Sequence, residues 1–73
     1  MARFNARKLY ILQMLYRESG REHPLSADLI AEKLREHNIF CDPETVIQDA
    51  VLMQYSDVAI YSSDNRSFYI EKN

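Results

Sequence analysis

The sequence predicts a small α+β domain, mainly α, in which three helices are closed by a C-terminal β-hairpin. Three observations carry this. Apolar residues recur at helical spacing in three separate stretches. The second and third stretches open on side chains suited to cap a helix, Ser26 and Asp42. From Val58 the apolar period falls to two, as in paired strands. With 73 residues the chain makes a single domain, residues 1–73. A chain of this size buries only about 60% of its unfolded surface, which leaves little room for a deep catalytic cleft.

The first helix is expected over residues 5–19. Leu9, Tyr10, Ile11, Leu12, Met14, Leu15 and Tyr16 are apolar, and only Gln13 interrupts them. Positions 8, 11, 12, 15 and 16 share helical spacing. Apolar side chains on nearly every side predict packing on more than one face. Gly20, just past the run, is the expected stop. A polar loop and a short extended piece at Leu25 then lead to Ser26, the expected N-cap of the second helix. Asp28 lies in its first turn, where the helix dipole favours an anion. Leu29, Ile30, Lys33, Leu34 and His37 form its stripe, Glu32, Arg35 and Glu36 its solvated side, and Asn38 its stop.

Asp42-Pro43 is the clearest local signal: a capping acid followed by the residue best suited to a first helical position. The third helix continues from Thr45 to Gln54, with Val46, Ala50 and Met53 as one apolar stripe and Ile47 and Val51 as a second. Val58–Tyr61 and Ser67–Ile70 read as strands joined by Ser62–Arg66, where Asp64 and Asn65 supply turn chemistry. The expected core is Ile11, Leu12, Leu15, Leu29, Ile30, Leu34, Val46, Ala50 and Met53, closed at one end by Ile60, Phe68 and Ile70. Three helices with a C-terminal hairpin is the order of the winged helix-turn-helix, the hairpin being the wing.

Particular residues extend this likeness. Arg7-Lys8-Leu9-Tyr10-Ile11-Leu12 resembles the opening helix of the N-terminal winged-helix domain of WYL-domain transcriptional regulators. His23-Pro24-Leu25-Ser26 is similar to the entry to their second helix. Asp42-Pro43-Glu44-Thr45-Val46-Ile47-Gln48-Asp49 stands where they carry a pattern like D-R-R-T-V-Y-R-D. The resemblance covers essentially the whole chain, which corresponds to the part that precedes their ligand-sensing domain. It implies the winged-helix fold and gives DNA binding little support. Asp42, Thr45, Val46 and Asp49 match the pattern. Pro43, Glu44 and Gln48 stand where the family is basic, and Ile47 where it has tyrosine.

Charge placement bears on partners more than the formal net charge of -2. Residues 1–24 carry +3, residues 25–40 carry -1 and residues 41–73 carry -4, and no Lys or Arg occurs between Arg35 and Arg66. Nucleic-acid binders usually place a basic footprint on the docking element. Here that element is acidic.

Two surfaces follow as expectations. A protein partner would meet Glu44, Ile47, Gln48, Asp49, Val51 and Asp64, an apolar row flanked by acids, with Tyr55 extending the row. The competing reading tucks Ile47 and Val51 into the core. The acids Asp42, Glu44, Asp49, Asp57 and Asp64 could imitate a phosphate array, in the size and charge style of small phage-encoded inhibitors such as some anti-CRISPR proteins. The alternative function is a sequence-specific DNA-binding regulator that dimerises through its first helix. It would use Arg3, Arg7 and Lys8, Thr45 and Gln48 on the third helix, and Arg66 in the wing, with Gln48 able to read adenine.

Other classes have little support. One cysteine, Cys41, forms no internal disulfide, and His37 and Cys41 straddle a helix end, so with His23 they make no metal set. The serines and histidines fall in no nucleophile motif, and there is no phosphate-binding loop. The expectation is a non-enzyme without cofactor, metal, small-molecule substrate or membrane span. It would act in the cytoplasm of a bacterial or phage-infected cell, with a protein or a second copy of itself as partner and DNA as the alternative.

Overall fold

A computed structural model describes residues 5–71. Its elements run α1 (Ala6–Glu18), β1 (Leu25–Ser26), α2 (Ala27–Arg35), α3 (Pro43–Tyr55) and β2 (Ser67–Phe68). The fold is mainly helical, with a small two-stranded antiparallel sheet.

Side chains start each helix. Asn5 accepts a hydrogen bond from the Lys8 N–H at 2.9 Å, Ser26 from Leu29 at 3.1 Å and Asp42 from Thr45 at 2.9 Å. Each supplies an acceptor that the first helical turn lacks. Serine, rather than glycine, ends α1. Ser19 is extended, and its hydroxyl donates to the Leu15 carbonyl and accepts from the Ile70 N–H at 3.0 Å. Gly20, the expected stop, does not take the left-handed conformation. Among the described residues Asn38, Asp57 and Asn65 do, with φ of 60°, 67° and 63°. Asn38 therefore ends the α2 turn as its sequence position predicts.

The C-terminal pairing differs from a plain hairpin. Tyr61 and Tyr69 meet at one bridge, whereas β2 pairs with β1 through Leu25↔Phe68 and Ser26↔Ser67. Polar groups explain the sparse pairing. The Gln54 side chain donates to the Ile60 carbonyl at 2.8 Å, and Asp64 accepts from the Arg66 and Ser67 N–H groups at 3.0 and 2.8 Å. Those backbone groups are then satisfied without cross-strand bonds. The Ala27 N–H reaches back to the Arg66 carbonyl at 2.7 Å and ties the turn to the start of α2.

The core holds Ile11, Leu15, Ile30, Leu34, Val46, Ala50, Met53, Ile60 and Phe68, completed by Met14, Leu25, Ala27 and Ala31. Leu29, expected inside, is exposed, because the stripe that α2 buries is Ala27, Ile30, Ala31 and Leu34. Leu12 and Ile70 are half-buried at the margin. The sides of α1 are also unequal: Ile11, Met14 and Leu15 are buried, but Leu9 and Tyr16 face outward. No helix among the described residues is long and apolar enough to cross a membrane.

Candidate functional site: the outer face of the third helix

The buried stripe of α3 is Val46, Asp49, Ala50 and Met53, spaced i, i+3, i+4, i+7. Opposite it, Glu44, Gln48, Val51, Leu52 and Tyr55 form an exposed face. Its N-terminal half is polar and its C-terminal half apolar, with Leu52 52% and Tyr55 82% exposed. The apolar row therefore runs Val51, Leu52, Tyr55. Ile47, expected to begin it, is half-buried and packs against the core. Leu52 joins the row although the sequence reading leaves it out. Its signal is present, since it lies four residues from Gln48 on the polar side of the wheel.

Asp49 corrects the expectation of an exposed acid. It is 2% exposed and lies in the apolar stripe. Its two carboxylate oxygens accept from Nε and Nη2 along one edge of the Arg7 guanidinium, the Nη2 contact being 3.0 Å, and it lies 3.6 Å from the Lys8 ammonium. A carboxylate this far from water needs such partners. The hydrogen bond to Asp49 raises the Arg7 pKa above its ordinary value. The two basic residues expected to reach DNA from α1 are thus turned inward onto an acid of α3.

Other basic residues are paired as well. Arg21 meets Glu71 at 2.8 Å, and Lys33 meets Glu18 at 2.9 Å. Arg66 stands 3.9 Å from Glu44, so the turn before β2 lies beside the start of α3. Asp64 is exposed, and its hydrogen bonds from the Arg66 and Ser67 N–H groups hold its carboxyl below the usual range. Thr45, placed in the DNA-binding alternative, donates its hydroxyl to Asp42 at 2.8 Å. The Thr45 N–H and hydroxyl hold the Asp42 carboxyl below the usual range. Arg3 lies outside the described residues.

The comparisons add no relative. The chain has no significant match to any family model, curated protein or solved structure.

The remaining polar candidates lie elsewhere. His37 stacks on Tyr10, with ring centroids 4.3 Å apart. Cys41 is half-buried, and burial pushes its thiol pKa up. Among the described residues no three of His, Cys, Asp and Glu are grouped to hold a metal ion.

Proposed function

We propose that the chain is a non-catalytic winged-helix module that grips a protein through the outer face of α3. One observation carries this reading. The face presents Val51, Leu52 and Tyr55 without a cation of its own, while Arg7 and Lys8 are held by Asp49. Duplex binding draws most of its affinity from neutralised phosphates. Protein interfaces instead favour apolar and aromatic anchors with charge confined to the rim. Tyr55 and Leu52 would be the anchors, and Glu44, Gln48 and Asp64 the rim. The partner that fits is a protein with an apolar pocket bordered by basic residues, including one whose groove otherwise holds nucleic acid. The module would act in the cytoplasm as a regulator or inhibitor.

The test is partner capture with wild type and with Leu52→Asp/Tyr55→Asp, with and without nuclease. Both residues are exposed, so circular dichroism should show an unchanged fold. The proposal expects nuclease-resistant capture that the double variant loses. Capture that survives the double variant, or that nuclease abolishes, refutes it.

Gln48 and Arg66 favour a second reading, a DNA-binding regulator, since both are exposed near the start of α3. That reading requires a mobility shift at low salt that fades steeply as salt rises.

A further inference from the structure

We draw no further inference here: the strongest candidate, the shallow groove along the outer face of α1 lined by Leu9, Tyr10, Leu12, Gln13 and Tyr16, carries nothing because nothing in the structure shows what covers it.

Discussion

The Arg7–Asp49 contact gives the sharpest energetic prediction, because its two partners sit in different surroundings. Asp49 is 2% exposed, whereas the Arg7 side chain keeps 29% of its area in water. Unit charges 3–4 Å apart attract by about 4–5 kcal/mol at an effective dielectric of about 20. Loss of hydration offsets part of this, leaving a net coupling of about 2 kcal/mol. That lies above an exposed pair (about 0–1 kcal/mol) and below the 3–5 kcal/mol lost when a fully buried pair is broken. The two single variants should differ. Arg7→Met strands a buried carboxylate with only Lys8 nearby and should cost about 2–3 kcal/mol. Asp49→Leu leaves an arginine able to turn toward solvent and should cost about 1–2 kcal/mol. For a domain this short the first loss lowers Tm by about 10–20 °C. The double variant should lose about 1–3 kcal/mol, about 2 kcal/mol less than the two single losses together, since both charges leave together. The assay is urea unfolding of all four proteins in a double-mutant cycle. A coupling below about 0.5 kcal/mol, or an Asp49→Leu variant weaker than Arg7→Met, would refute the reasoning.

Three further outcomes follow from the same structure. Ser26→Ala removes the N-cap of α2 and should cost about 1 kcal/mol, read as a fall in Tm of about 4–8 °C; no change would mean that water replaces the cap without loss. Gly20 has no left-handed backbone, and nothing lies within 4 Å of the place an added Cβ would take, so Gly20→Ala should be neutral or stabilise by about 0.4–1 kcal/mol in chemical unfolding, whereas a left-handed stop would lose stability. Asp42 and Asp64 are held below the usual carboxyl range in the fold, so their contribution is full above about pH 4 and is lost as pH falls through the lowered values. Asp42→Asn and Asp64→Asn should each flatten the acid limb of a Tm-against-pH profile, and an unchanged limb contradicts the assignment.

Local signals in the sequence locate the helices, because caps and periodicity act within a few residues. Ser26, Asp42-Pro43 and Asn38 occupy the roles their chemistry suggests. Long-range partners decide what local signals leave open. The buried place of Asp49 depends on Arg7, forty-two residues earlier, although its spacing from Val46 and Met53 already puts it on the apolar stripe. Ser19 ends α1 partly because the Ile70 N–H arrives from the far end of the chain. β2 pairs with β1 rather than within a regular hairpin, a choice that two-residue strands do not advertise. At the α3 face, Glu44, Gln48 and Val51 are legible from the wheel. Ile47, expected in the exposed row, packs against the core, and Leu52 is exposed as its place four residues from Gln48 indicates.

The central claim is that the outer face of α3 does not neutralise phosphates. Fluorescence anisotropy of a mixed-sequence duplex at about 50 mM salt measures this most directly. With the neighbouring bases Arg7 and Lys8 tied to Asp49 and Arg66 beside Glu44, no saturable binding should appear below about 100 μM, the weak end of ordinary non-specific affinity. Micromolar binding that weakens linearly in log–log form as salt is raised would contradict it.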